Sequence, residues 1–135
     1  MDVLNLEIIT PERVLVREEV DSVEAQGALG EFGILPGHTQ FLTTLSIGEV
    51  RYTIGNKTLS LAASGGFAEV AENKVTLLLD TAELADEIDV DRAKRAMERA
   101  EATLKSMTMD HSDFRRQELA LYRAIARIGV ASKKM

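Results

Sequence analysis

The sequence predicts a mostly β N-terminal sandwich followed by a C-terminal α-helical hairpin, divided as residues 1–84 and 85–135. Three observations point there. Apolar residues recur at period two in short runs as far as Leu79, turn-forming residues separate those runs, and the period lengthens to a helical one near Ile88. Many short strands with turn signals require a sandwich or flattened barrel, because neither sheet can leave its apolar face in water. Helices alternating with strands, as in βαβ units, are missing from the pattern.

Leu4, Leu6 and Ile8 alternate with Asn5 and Glu7 until Thr10-Pro11 ends the first strand. Val14–Val16 and Val20–Ala25 are the next candidates. Phe41–Leu45, Glu49–Ile54, Thr58–Ala62, Phe67–Val70 and Val75–Leu79 follow. Gly55-Asn56 and Glu72-Asn73 read as tight hairpin turns.

Between these strands runs Gly27-Ala28-Leu29-Gly30-Glu31-Phe32-Gly33-Ile34-Leu35-Pro36-Gly37-His38. Glycine permits positive φ, while proline fixes its own φ and restrains its predecessor. The segment reads as a loop whose Leu29, Phe32, Ile34 and Leu35 need a surface to bury against. It is either a conformationally demanding core loop or a docking loop.

In the second region Ala93, Ala96, Met97, Ala100, Leu104 and Met107 form one narrow apolar stripe. Asp89 and Asp91 suit the N-terminus of that helix. Lys94/Glu98 and Glu101/Lys105 are spaced as i,i+4 pairs. Thr108–Ser112 breaks the pattern. A second helix is expected from about Asp113 to Ile128, with Phe114, Leu121, Ile125 and Ile128 on one side. Gly129 reads as its stop, and Ala131–Met135 as a frayed end. Alanine faces remove little apolar area, roughly 1 kcal/mol or less per site against about 1.5–3 for a buried leucine or isoleucine. Such a hairpin needs the β domain or a partner to rest on.

With 135 residues and 45% hydrophobic side chains, the chain has enough material for a sizeable core. It contains no cysteine, so disulfides and thiolate chemistry are excluded, which fits a reducing compartment. The first residues lack the charge and apolar run of a signal peptide, and no run suits a membrane span. The net charge of -6 is unevenly spread. Residues 1–87 carry 5 basic and 15 acidic side chains, residues 88–135 carry 11 and 7. The acidic excess argues against nucleic acid as a ligand of the first region.

On a helical wheel Arg116, Arg123 and Arg127 lie nearly opposite the second stripe, and Arg92, Arg95 and Arg99 gather away from the first. Solvated arginines are the simple account. Arginine also recognises carboxylates and phosphates, so an acidic protein surface and an anionic nucleotide are both candidate ligands. No nucleophile, metal-ligand set or phosphate-binding glycine motif stands at diagnostic spacing, so neither catalytic residues nor a metal site is expected. His38 reads as a structural hydrogen-bonding residue and His111 as an exposed turn residue.

Several ordered motifs resemble one family along essentially the whole chain. They are Thr10-Pro11, Gly30–His38, Ser64–Val70, Asn73–Thr76, Ile88-Asp89-Val90-Asp91-Arg92-Ala93 and Glu118–Ala124. The chain resembles the epsilon subunits of F-type ATP synthases, whose mitochondrial counterpart is called delta. The resemblance implies a sandwich of about ten strands and a non-catalytic rotor subunit coupling proton or sodium-ion flow to ATP synthesis. It implies docking on the gamma subunit and the c-subunit ring, with Glu31, Phe32 and His38 at the docking end. It also implies a mobile hairpin that hinders ATP hydrolysis by entering the alpha/beta catalytic head, with Arg116, Arg123 and Arg127 as inhibitory electrostatic contacts. No cofactor is required. ATP is implied as a regulatory ligand at Glu83, Ile88, Asp89, Arg92, Ala93, Arg99, Arg123 and Arg127. Location at the cytoplasmic face of the bacterial cell membrane, peripheral and through the complex, follows from the same resemblance. The alternative reading is a soluble β-domain adaptor whose basic helical tail binds an acidic partner.

Overall fold

The computed structural model describes residues 3–133. Ten strands come first: β1 (Leu4–Ile9), β2 (Val14–Val20), β3 (Ser22–Gly27), β4 (Gly30–Ile34), β5 (Phe41–Leu45), β6 (Gly48–Ile54), β7 (Lys57–Ala63), β8 (Gly66–Ala71), β9 (Lys74–Leu79) and β10 (Ala82–Leu84). A single 3-10 turn, Ala85–Glu87, leads into α1 (Val90–Lys105) and α2 (Phe114–Ala131). The sandwich and hairpin expected from the sequence are both present.

Strands β2, β1, β9, β8 and β5 lie side by side, as do β10, β7, β6, β3 and β4. The ladder passes between these two layers at one pair, Gly27 opposite Leu45. Alternation supplies the core: Leu4, Leu6 and Ile8 of β1, Val23 and Ala25 of β3, Val50 and Tyr52 of β6, and Val75, Leu77 and Leu79 of β9 all face inward. β1 pairs in parallel with β9, while the other pairings described here are antiparallel.

Four expectations change. Gly30–Ile34 is a strand rather than a loop, joined to β3 through Ala28-Leu29, because Phe32 and Ile34 alternate inward opposite Ala25 and Val23. Leu29 is fully exposed and Leu35 is 64% exposed, so neither finds the burial expected of it. The short β10 extends the edge of β7. Finally, α2 runs through Gly129 to Ala131, since Val130 and Ala131 bury against Ala62 and Ile88 in a second small core. That burial outweighs the cost of about 1 kcal/mol for a helical glycine. Lys134 and Met135 of the expected frayed end lie outside the described residues.

The hairpin rests on the sandwich through α2, which packs against the outer face of β6 and β7. α1 packs on α2, burying Ala93 and Ala100. Asp89 caps α1, its carboxylate accepting the Arg92 N–H at 3.1 Å.

Candidate functional site

Period two on β4 sends Glu31 and Phe32 to opposite faces. Phe32 packs against the core and meets Phe41 edge-on at 5.3 Å, and Phe41 meets His38 in the same manner at 5.7 Å. His38 Nδ1 lies 2.7 Å from the Thr39 carbonyl oxygen, which makes Nδ1 the protonated nitrogen. Phe32 and His38 therefore belong to one aromatic cluster. Glu31 belongs elsewhere: on the outer face its carboxylate pairs with Arg51.

The loop carrying His38 is anchored from β9. Asn73 sits at φ 61 in the β8–β9 turn, a left-handed conformation that asparagine tolerates better than most residues. Its side-chain oxygen accepts the Gly37 N–H at 2.7 Å, and its carbonyl accepts the Asn5 N–H at 2.8 Å.

The outer face of the β2-β1-β9-β8-β5 layer carries an apolar ribbon. Phe67 stands opposite Leu78, Leu78 opposite Ile9, and Ile9 opposite Val14. Phe67 is 55% and Leu78 49% exposed. A shallow groove of about 300 Å³ runs beside them, lined also by Thr10 and Pro11. Four apolar side chains stand in register across four strands, a contiguous strip rather than scattered surface residues. The strand assignments contain this alignment, but it needs the parallel β1–β9 register, which no local signal specifies.

The nucleotide-site residues are only partly brought together. Glu83 of β10 meets Arg127 of α2, with Nε 2.7 Å from Oε1 and an aligned hydrogen bond from Nη2 to Oε2 at 3.3 Å. Arg127 Nε is buried but poorly aligned with the carboxylate, so it makes no hydrogen bond of its own. Arg127 thus faces the sandwich, contrary to its outward place on the helical wheel. The true buried side of α2 contains Ala124, Val130 and Ala131, while Ile125 is 49% exposed. Ile88 and Ala93 are buried and contribute packing. Arg92, Arg99 and Arg123 are exposed, and no ion pair joins them to a carboxylate among the described residues. Arg116 lies 3.9 Å from Asp113 at the surface.

Sequence reasoning singled out Glu83 and Arg127 but not their pairing, and it missed Glu49 and Lys133, the other charges that hold the hairpin. Ala62 of β7 stands between Glu83 of β10 and Glu49 of β6. α2 seats Ala131 and Val130 at Ala62, with Arg127 reaching Glu83 and Lys133 reaching Glu49. Burial pushes the Glu49 carboxyl up, but hydrogen bonds from Lys133, Arg51 and Ser60 leave it below the usual carboxylate range. A further clasp joins Arg13 to Glu87 at 2.8 Å. The Glu87 carboxyl is held low by Arg13 first and by the Leu84 N–H second. Period two on β6 signals that Glu49 and Arg51 share a face, but their partners are distant in sequence.

Among the described residues no helix is long and apolar enough to cross a membrane, and no cluster of three or more His, Asp or Glu is placed to hold a metal ion.

Comparison with known proteins agrees with this architecture. A family model described as ATP synthase, Delta/Epsilon chain, beta-sandwich domain matches residues 3–85. Another, ATP synthase, Delta/Epsilon chain, long alpha-helix domain, matches residues 86–132. The ATP synthase epsilon chain of Geobacter metallireducens is 49% identical over 130 residues, covering 96% of this chain and 94% of that one. That of Geotalea daltonii is 50% identical with the same coverage. A chain of the Euglena gracilis mitochondrial ATP synthase, solved as OSCP/F1/c-ring, superposes with a TM-score of 0.83 at 26% identity, covering 96% of this chain and 81% of that one. A chain from the Tetrahymena thermophila mitochondrial enzyme, at 10% identity and TM-score 0.56 over 96% and 94% of the two chains, shares the fold.

Proposed function

The chain belongs to the ATP synthase delta/epsilon chain family, and from that membership we propose that it serves as the epsilon subunit in the central-stalk rotor of a bacterial F-type ATP synthase. It is a non-catalytic subunit: the chemistry belongs to the complex, and this chain transmits rotation between ion flow and ATP synthesis. The observation that best supports a docking role is the ribbon Val14–Ile9–Leu78–Phe67, left exposed on the face away from α2. Its occupant in this reading is the gamma subunit. In this reading Glu31 on one face of β4 and the separate Phe32–Phe41–His38 cluster both serve docking on the c-subunit ring, and the chain is held peripherally at the cytoplasmic membrane face through these contacts.

In the same reading the hairpin is a regulator. Small apolar contacts and two partly buried ion pairs hold α2 on the sandwich, so another resting place of similar free energy can compete with it. Released, the hairpin brings Arg116, Arg123 and Arg127 to the acidic surface of the alpha/beta head and slows ATP hydrolysis. In the docked state Arg92, Arg99 and Arg123 are exposed and free to meet phosphate oxygens, while Arg127 is engaged by Glu83.

The test is co-expression with alpha, beta, gamma and c subunits. The chain should co-purify at fixed stoichiometry, and a soluble chain recovered alone returns the adaptor reading. Truncation after Glu87 should raise ATP hydrolysis; unchanged hydrolysis would sink the inhibitory role. Calorimetry with ATP should give heat that falls in Arg92→Ala and Arg123→Ala, and silence in the full chain removes the sensor.

A further inference from the structure

Lys133 and Glu31 are joined through two intermediaries. Lys133 Nζ donates to both Glu49 oxygens at 2.6 and 2.7 Å. Glu49 Oε1 also accepts from Arg51 Nη1 at 2.7 Å. Arg51 Nη2 donates to Glu24 Oε2 at 3.1 Å and to Glu31 Oε1. The register builds this cluster. Glu49 and Arg51 are two apart on β6 and share its outer face, Glu24 of β3 stands directly opposite Arg51, and Glu31 of β4 stands opposite Gln26 of β3. One guanidinium thus serves three carboxylates, and one of those also holds the end of α2.

We propose that Arg51 makes the docked end of α2 and the engagement of Glu31 by a cationic partner group mutually antagonistic. The proposal rests on the reading of Glu31 as a docking residue. A partner's amine or guanidinium that takes Glu31 leaves Arg51 with Glu24 and Glu49 alone. Arg51 then competes more strongly with Lys133 for the Glu49 carboxylate, and the last turn of α2 is held less firmly. Linkage requires the converse: departure of Lys133 draws Arg51 toward Glu49 and leaves Glu31 freer to bind. Exposed ion pairs couple weakly, so the expected effect is about twofold to fivefold, a bias on the hairpin rather than a switch.

Hydrogen exchange on the full-length chain tests this. The reporter is the Ser132 amide, which donates to the Ile128 carbonyl at 3.0 Å, and the control is the core residue Leu77. Glu31→Gln mimics loss of the Glu31 charge to a partner. It should speed Ser132 exchange about twofold to fivefold with Leu77 unchanged. Lys133→Gln should speed it too, and the double variant should be no faster than Lys133→Gln alone. In an Arg51→Gln background Glu31→Gln should have no effect on Ser132. An unaltered Ser132 rate in Glu31→Gln, or full additivity in the double variant, overturns the proposal. Because this measurement needs no partner, it is separable from the docking reading. If Glu31→Gln assembles into the complex with wild-type affinity, the docking role of Glu31 fails whatever the exchange shows.

Discussion

Arg127 of α2 and Glu83 of β10 form an ion pair across 44 residues of sequence, and it ties the hairpin to the edge strand of the sandwich. Arg127 is only 23% exposed at its side chain, so removing its partner leaves a largely desolvated guanidinium unmatched. Glu83→Ala should ease undocking of α2 by about 1–3 kcal/mol. Amide exchange along α2 should accelerate accordingly while β8 and β9 stay protected. Equal acceleration in both regions would mean that the pair stabilises the whole fold.

Gly66 supports a sharper test of the sandwich. Its φ is +143°, and a Cβ there would stand 1.9 Å from the Leu78 carbonyl oxygen. The obstacle is backbone, so no side-chain rotation relieves it. Gly66→Ala should lower stability by at least about 1–3 kcal/mol, read as a drop in denaturation midpoint with an unchanged slope. Gly129→Ala is the contrasting control: nothing lies near its Cβ, and α2 should gain up to about 1 kcal/mol.

Asn73 separates backbone from side-chain effects. Asn73→Ala loses the hydrogen bond to Gly37 and places alanine at a left-handed φ; Asn73→Gly loses only the bond. The glycine variant should cost about 0.5–1.5 kcal/mol, and the alanine variant about 1–2 kcal/mol more. In both, the His38 ring resonances should shift as the loop loosens. Unchanged His38 signals would show that the loop holds itself without Asn73.

Acid should loosen the hairpin before the sandwich. Glu49 and Glu87 both titrate below their unfolded values, so the stability they contribute is present above the ordinary carboxylate pKa of 4.5 and is lost as pH falls through the depressed folded values. Both carboxylates lie at the hairpin's attachments, through Lys133 and Arg13. Exchange at Ser132 should therefore rise, relative to Leu77, once pH drops below 4.5. Lys133→Gln should blunt that dependence, and an identical profile would assign it to other groups.

The apolar ribbon is tested by charge. Phe67→Asp with Leu78→Asp exposes no new core, because both side chains already face outward from β8 and β9. The variant should fold with the wild-type circular dichroism spectrum yet lose co-purification with the gamma subunit. Full recovery of the complex would place the gamma contact elsewhere.

Particular residues show what the sequence made legible. Leu4, Leu6 and Ile8, or Val75, Leu77 and Leu79, announce a strand because burial on one face imposes period two. Phe32 and Ile34 carry the same alternation, but the glycines around them conceal it. The buried side of α2 was harder to read because alanines, with little apolar area, mark it, while the larger Ile125 faces water. Glu31, Phe32 and His38 stand out as one motif, yet Glu31 and Phe32 point to opposite faces of β4, and His38, in the loop beyond it, joins the Phe32 side through Phe41. The partners Arg51, Glu49 and Lys133 meet only through tertiary register, which no local pattern encodes.

The parallel pairing of β1 with β9 imposes an order on biosynthesis. Leu6 takes its place beside Val75, and Ile8 beside Leu77, so one flank of the first strand has no neighbour until the ninth emerges. At about 5–20 residues per second, that interval lasts on the order of several seconds on the ribosome. β1 can form its hairpin with β2 at once, but its other edge stays open to stray strands meanwhile. Closure of the sandwich therefore waits for translation to pass Leu79, and α2 gains its complete seat only afterwards.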